Sequence, residues 1–214
     1  MKQQPIRERV KAALADPSTT DAQRGLVESV LRENGASCIQ QAGRNYYFFL
    51  LFSFLFTFLV ATDVEKVDIG GMELSNKNPA ILLIPVLSAF CFYRAICLYL
   101  YQDMLHKATQ AYYREALKSF EANDITDLFA YPDFMEIENT FDNILKMPLQ
   151  WVSLVWIVLV GVVCFVCPFV WFFFASSWML DLFAAFQGVA VSAIVLAWIF
   201  LLRALLLVIQ TWSY

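Results

Sequence analysis

The chain is poor in the residues that build common catalytic centres, with a single histidine, His106. One imidazole cannot form a zinc site by itself, and no cysteines or acidic residues stand at metal-ligand spacing around it. The sequence has no Gly-x-Ser-x-Gly segment for a serine nucleophile and no phosphate-binding glycine loop. We therefore expect no metal, no cofactor and no catalytic residue, with His106 on a solvated helix surface.

Cysteine is absent from the segments that we expect to face the outside, which argues against a structural disulfide framework. Cys164 and Cys167 form the one enzyme-like spacing, and it resembles the Cys-x-x-Cys of four-helix, quinone-linked thiol oxidoreductases. Such enzymes need a second cysteine pair that can reach the substrate, and this chain offers none. The pair is predicted to consist of small apolar packing residues. A thiol oxidoreductase is the least favoured alternative.

Charged residues are scarce at 16%, whereas 60% of the 214 residues are hydrophobic. Soluble domains are about 45–50% apolar, and here the excess is concentrated in four runs. Each run approaches or exceeds the ~20 residues that cross a bilayer as a helix. The predicted fold class is an all-α membrane protein with four transmembrane helices and a small cytoplasmic layer of amphipathic helices. The runs are 46–61, 80–101, 149–174 and 182–209.

No cleavable signal peptide and no lipidation motif are recognisable, so we expect the first apolar helix to remain as an anchor. Residues 1–44 carry seven Lys/Arg, and the 102–148 segment carries four. The segment between the first two runs carries two, and the one between the last two carries none. The positive-inside rule then predicts a bacterial inner-membrane protein with both termini in the cytoplasm.

The runs divide the chain into nine segments. Within the polar ones, Ser18 or Thr20 is a candidate N-cap, with Asp21 or Gln23 three residues later, and Gly35 is a candidate helix end. Gly70-Gly71 predicts a turn between two short strands. The segments are 1–44 (cytoplasmic amphipathic helices), 45–61 (first span), 62–78 (outer loop), 79–101 (second span), 102–148 (cytoplasmic helical loop), 149–174 (third span), 175–181 (outer turn), 182–209 (fourth span) and 210–214 (cytoplasmic tail).

The 102–148 loop has nine acidic residues against four basic ones, so its net charge of about −5 disfavours direct nucleic-acid binding. Aromatic side chains alternate with these acids. They could simply hold the cytoplasmic layer together, or they could anchor a soluble protein inside an acidic rim. The residues proposed for partner binding are Asp124, Asp127, Asp133, Phe134, Glu136 and Glu138.

Ala184, Gly188 and Ser192 recur every four residues in the fourth run. This small-xxx-small pattern lets another helix backbone approach closely. The contact could be with the third span of the same chain or with a second copy in a homo-oligomer. The sequence leaves both alternatives open.

Arg94 and Arg203 are the charges inside the runs, where an unpaired charge is costly. Both could simply anchor the helices at the inner leaflet, or they could form a polar seam or vestibule in which they meet anionic lipid headgroups or acids such as Asp103. Gln187 could form an interhelical hydrogen bond or line a narrow lumen.

These features favour a non-enzymatic scaffold or sensor that self-assembles in the membrane and binds a cytoplasmic protein. The alternative is an oligomeric channel or pore-forming effector. In size, span number, cytoplasmic N-terminus and polar 102–148 loop, the chain resembles the four-span membrane subunit of the Kiwa antiphage defence systems. That resemblance implies a homo-oligomer, with a tetramer favoured. It also implies sensing of phage attack at the inner membrane and a cytoplasmic partner that interacts with DNA.

Overall fold

A computed structural model describes residues 20–62, 67–69, 72–74, 78–116 and 150–212, together with 8, 10 and 12. Four of its helices are long and apolar enough to cross a membrane, which confirms the four predicted spans and fits a multi-pass membrane protein. In chain order the elements are helix α1 (Asp21–Ala61), strands β1 (Val67–Ile69) and β2 (Met72–Leu74), helices α2 (Asn78–Ala116) and α3 (Gln150–Leu182), a 3-10 turn (Ala184–Phe186) and helix α4 (Gln187–Trp212).

Helix α1 begins at a capping box and runs further than the sequence predicts. The Thr20 amide donates to Oε1 of Gln23 (2.8 Å), and the Gln23 amide donates to Oγ1 of Thr20 (3.3 Å). This confirms Thr20 and Gln23 among the predicted capping residues. The predicted end at Gly35 is wrong, because α1 continues without a break to Ala61. A glycine ends a helix only where the chain turns away, and inside a helix it costs about 1 kcal/mol.

The segment between α1 and α2 contains the predicted hairpin. Strands β1 and β2 pair antiparallel, and Ile69 stands opposite Met72. The connection is therefore the Gly70-Gly71 pair. Glycine pairs are favoured in tight two-residue hairpin connections, because glycine reaches positive φ values at little cost.

The turn between α3 and α4 lies later than predicted. Residues 175–181 belong to α3, which continues to Leu182. This segment contains neither glycine nor proline, and the Ser176 hydroxyl donates to the Phe172 carbonyl of its own helix (2.7 Å). The drop in hydropathy at these residues marks a more polar stretch and not a helix end. The chain turns at Phe183, whose amide still donates to the Met179 carbonyl (3.0 Å).

The chain divides into two compact units, residues 42–97 with 158–214 and residues 1–41 with 98–157. In the first unit, which we call the span unit, the four apolar helices pack around two buried clusters. One cluster contains Phe56, Leu59, Ala80, Ile81, Ile84, Ala175, Met179, Phe183 and Ala190. The other contains Phe49, Ala89, Phe92, Phe172, Ala197, Leu201 and Ala204.

Hydroxyl groups join neighbouring helices inside the span unit. The Ser53 and Ser88 hydroxyl oxygens lie 3.0 Å apart, and Ser88 donates to the Phe49 carbonyl (3.2 Å). Trp171 Nε1 donates to the hydroxyl of Thr57 (3.3 Å). Bonds of this kind contribute roughly 0.6–2 kcal/mol each in a membrane. They tie α1 to both α2 and α3.

Trp198 Nε1 donates to the Ser176 hydroxyl (3.2 Å) and so ties α4 to α3. The ring of Trp171 contacts Phe56 at a centroid distance of 5.6 Å and Phe172 at 4.6 Å. Aromatic pairs of this geometry add to the energy of burial. Trp171 is therefore part of the packing between the helices.

Candidate functional site

The six residues of the 102–148 loop that are predicted to bind a partner lie between residues 117 and 149, outside the described residues. The partner-binding role of its acids therefore stays a prediction. What the structure does describe is the helix that leads into this loop. The residues concerned are Asp124, Asp127, Asp133, Phe134, Glu136 and Glu138.

Polar extensions of α1 (residues 21–41) and α2 (residues 98–116) belong to the second unit. The Tyr112 hydroxyl donates to the Arg24 carbonyl (3.1 Å), and the Tyr113 hydroxyl donates to Oε1 of Glu28 (2.9 Å). Both tyrosines are buried, and their rings meet edge to face at 5.6 Å. Tyr112 and Tyr113 thus bond the two extensions together one turn before the acidic loop.

Polar side chains line a buried face of the α2 extension. Gln102, His106, Thr109 and Tyr113 follow one another at intervals of four, three and four residues, which places them on one side of the helix. His106 is only 8% exposed, and its Nε2 lies 2.8 Å from Nε2 of Gln110. The expectation of a solvated His106 is therefore wrong. The tyrosine contacts with α1 turn this side of α2 inward.

The small-residue strip of the fourth run faces outward. Ala184, Gly188 and Ser192 are all exposed, and a Cβ at Gly188 would meet nothing within 4 Å. The Ser192 hydroxyl donates to the Gly188 carbonyl (2.8 Å), so its hydrogen stays within α4. Of the two alternatives, the structure does not show the contact with α3. The strip remains available to lipid or to a second copy.

Helix α4 packs inside the chain through a different set of alanines, which were not predicted to form a buried face. Ala190, Ala197 and Ala204 are at most 2% exposed, and they stand seven residues apart with Leu201 between the last two. Seven residues are close to two helical turns, so these alanines share one side of α4. Heptad spacing of small residues in a bulky run was the available signal.

Arg94 and Arg203 are both exposed in the span unit. The Tyr93 hydroxyl of α2 lies near the Cys97 thiol of its own helix and near the Arg203 guanidinium of α4. Asp103, the acid proposed for a vestibule, is engaged by Lys107 at 2.7 Å. The arginines therefore lack the predicted acidic partner among the described residues.

Gln187 does not join the arginines. It is the exposed first residue of α4, sixteen residues before Arg203, which corresponds to about 24 Å along a helix. The described residues give it no interhelical hydrogen bond. A lumen position for Gln187 in an assembly stays a prediction.

Cys164 and Cys167 carry exposed thiols on α3, and the Tyr46 hydroxyl donates to the Cys164 carbonyl (3.3 Å). Their expected packing inside the chain is not what the structure shows. Between Val155 and Cys167, no described side chain of α3 is buried. Hydropathy predicts that a helix lies in the membrane. It does not distinguish a side chain that faces lipid from one that packs against protein.

Among the described residues, no group of three or more His, Cys, Asp or Glu side chains is placed to hold a metal ion. Comparison of the chain with protein-family models, with curated proteins and with solved structures finds no match. The resemblance to the Kiwa membrane subunit therefore stays a prediction.

Proposed function

We propose that the chain is a non-enzymatic scaffold or sensor of the bacterial inner membrane, which self-assembles and binds a cytoplasmic protein. The observation that carries the proposal is the pair of bonded extensions. Helices α1 and α2 have 41 and 39 residues, about twice what a bilayer requires. The part of α2 beyond one bilayer crossing includes the polar residues 98–116, and the acidic 117–149 segment follows it in the sequence.

The orientation follows from charge. Segments 1–44 and 102–148 hold eleven of the fifteen Lys/Arg, and we therefore place the extensions, the acidic segment and both termini in the cytoplasm. A soluble partner would meet the acidic segment there. The hydrogen bonds of Tyr112 and Tyr113 attach the end of α2, which precedes that segment in the sequence, to α1.

Self-assembly is supported by the outward strip of α4. A glycine and a serine on an exposed helix face allow a second backbone to approach without the obstruction of large side chains. The space around Gly188 leaves room for that approach. We propose a homo-oligomer, with the tetramer suggested by the Kiwa resemblance as the first stoichiometry to test.

Charge reversal tests the partner-binding part of the proposal. The triple variant Asp133→Lys, Glu136→Lys and Glu138→Lys should lose a soluble protein that co-purifies with the wild-type chain, because rim charges guide association. Asp103→Asn is a matched control, since it removes an acid of the α2 extension that Lys107 engages. Undiminished recovery of the partner with the triple variant would remove the acidic rim from the account.

A channel is the second candidate, and one observation favours it. Ser192, Arg203 and Gln210 are exposed and stand eleven and seven residues apart, so they share one side of α4. If several copies packed around a central axis on that side, these polar groups would line the axis. The apolar residues between them could form a gate. Ion flux through liposomes containing the purified chain, and its change in Arg203→Gln, tests this candidate.

The resemblance in overall plan extends the proposal to antiphage defence, together with the soluble partner. Cells that express the chain and its genomic neighbours should form fewer phage plaques than cells lacking the chain. Equal plaque counts across a panel of phages would end the defence proposal, and they would leave the scaffold proposal to the binding experiments.

A further inference from the structure

Two arginines are the only charged residues within the four apolar runs of the sequence. Arg94 lies in the run of α2 and Arg203 in that of α4, and the runs contain no Asp, Glu or Lys. An unpaired guanidinium inside hydrocarbon is costly, so such residues reach a counter-charge or water. The described residues around Arg94 and Arg203 indicate what that counter-charge is.

Helices α2 and α4 bring the two arginines to one level. The ring of Phe200 contacts Phe90 at a centroid distance of 5.5 Å and Tyr93 at 5.8 Å. Arg203 follows Phe200 by one turn of α4, and the Tyr93 hydroxyl lies near both Cys97 and Arg203. Because Arg94 follows Tyr93 directly, Arg94 and Arg203 stand at nearly the same height on α2 and α4.

That level lies near one edge of the hydrocarbon core. Arg94 is sixteen residues beyond Asn78, the first residue of α2, and Arg203 is sixteen residues beyond Gln187, the first of α4. Sixteen residues rise about 24 Å along a helix, against a core of about 30 Å. A long arginine side chain can extend its charge from there to the phosphate level.

Among the described residues of α2 and α4, no acid lies at this level. The next acid along α2 is Asp103, which bonds to Lys107 at 2.7 Å. Both arginines are exposed, and neither forms an ion pair with a described residue. A second copy would bring the same runs without acidic residues, so self-assembly through the spans adds no counter-charge. An anion that every bilayer presents at the edge of its core is the lipid phosphate.

We infer that Arg94 and Arg203, with Tyr93, bind the phosphate of an anionic glycerophospholipid at the edge of the membrane core. Guanidinium groups donate pairs of hydrogen bonds in a plane that suits phosphate oxygens. Two positive charges without an acid between them favour a headgroup with net negative charge over a zwitterionic one. The Tyr93 hydroxyl, which lies near both Cys97 and Arg203, is a further donor for the headgroup. The site is compatible with the scaffold, whereas in the channel candidate Arg203 would line the central axis instead.

Native mass spectrometry of the full chain tests the inference, with equal amounts of phosphatidylglycerol and phosphatidylcholine added in detergent. The wild type should retain the anionic lipid with roughly tenfold preference, the ratio that one charged hydrogen bond of about 1.5 kcal/mol produces. Arg94→Gln combined with Arg203→Gln should bring the preference close to unity. Lys107→Gln removes an exposed cation of the same helix and should keep it.

Two further variants keep the test decisive if the double variant does not fold. Arg203→Lys retains the charge but loses the planar pair of donors, and Tyr93→Phe removes the hydroxyl. Each should lower the preference while the helix content stays that of the wild type. Excess inorganic phosphate should not displace the lipid, because a site for free phosphate would lack the acyl-chain contribution.

Three results would overturn the inference. They are a wild type without preference for the anionic lipid, variants that all keep the wild-type preference, and full displacement of the lipid by inorganic phosphate. The first two would point to arginines that merely reach the interface, and the third to a site for soluble anions.

Discussion

At the scale of single residues, polar side chains are used in two different ways. Inside the span unit, Ser53, Ser88 and Thr57 each have a hydrogen-bond partner in the same chain. In the α2 extension, by contrast, Gln102 is 2% exposed, and its Oε1 accepts no hydrogen bond from the described residues. These three span hydroxyls are thus satisfied within the chain, whereas Gln102 in the α2 extension retains unused bonding capacity among the described residues.

The bond between Tyr113 and Glu28 gives a residue-scale prediction. Tyr113→Phe should lower the free energy of unfolding by about 1–2 kcal/mol, because it removes a hydrogen bond to a carboxylate from a buried ring. Tyr101→Phe is the control, since Tyr101 is 49% exposed. Denaturant unfolding in detergent, followed by far-UV circular dichroism, measures both. Equal stability of the two variants would show that this bond does not hold the extensions together.

At the scale of elements, the two faces of α4 have opposite requirements. Its buried face is built on Ala190, Ala197 and Ala204, whereas Gly188 and Ser192 lie on the exposed face. A larger side chain should therefore affect folding on the first face and association on the second.

Ala197→Leu tests the buried face. Extra methylenes in a close-packed core typically cost about 1–3 kcal/mol, and Ala197 is only 2% exposed. Val195→Leu adds a methylene at a site that is 51% exposed and should change the stability little. The melting temperatures of the two purified variants give the comparison. A large loss with Val195→Leu instead would mean that the face assignment of α4 is reversed.

Gly188→Ile tests the exposed face. The fold should tolerate it, because a Cβ at Gly188 meets nothing within 4 Å, while a branched side chain would block close approach of a second helix. Val189→Ile alters the next residue, about 100° around the helix, and should leave assembly unchanged. Size-exclusion chromatography with light scattering reports the oligomer mass. A wild-type mass for Gly188→Ile would exclude this face as the contact.

The elements that the sequence predicted are those with strong local causes. Four apolar runs predicted four helices, Gly70-Gly71 predicted the hairpin turn, and Thr20 with Gln23 predicted a cap. The extent of the helices was less predictable. Helix α1 continues through Gly35, since a single glycine inside a helix weakens it without ending it. Helix α3 continues through 175–181, because that segment contains neither glycine nor proline.

The candidate site was less predictable than the elements, since it depends on which face each helix buries. His106 is buried on an extension whose Tyr112 and Tyr113 contact α1, and those contacts join residues more than 80 positions apart. Heptad-spaced alanines marked the buried face of α4, yet the four-residue strip was the more familiar motif. Side-chain burial in a membrane helix depends on its neighbours, which composition does not specify.

At the scale of the whole molecule, the chain combines four apolar helices, which pack in the span unit, with polar extensions of α1 and α2. The acidic 117–149 segment follows the α2 extension in the sequence. The central claim is that this chain works as an assembled membrane scaffold with a soluble protein bound to it. The intact mass of the tagged chain, extracted from native membranes in mild detergent, tests that claim most directly. We predict a homo-oligomer that retains a stoichiometric soluble protein. A single copy of the chain without any retained protein would contradict the account.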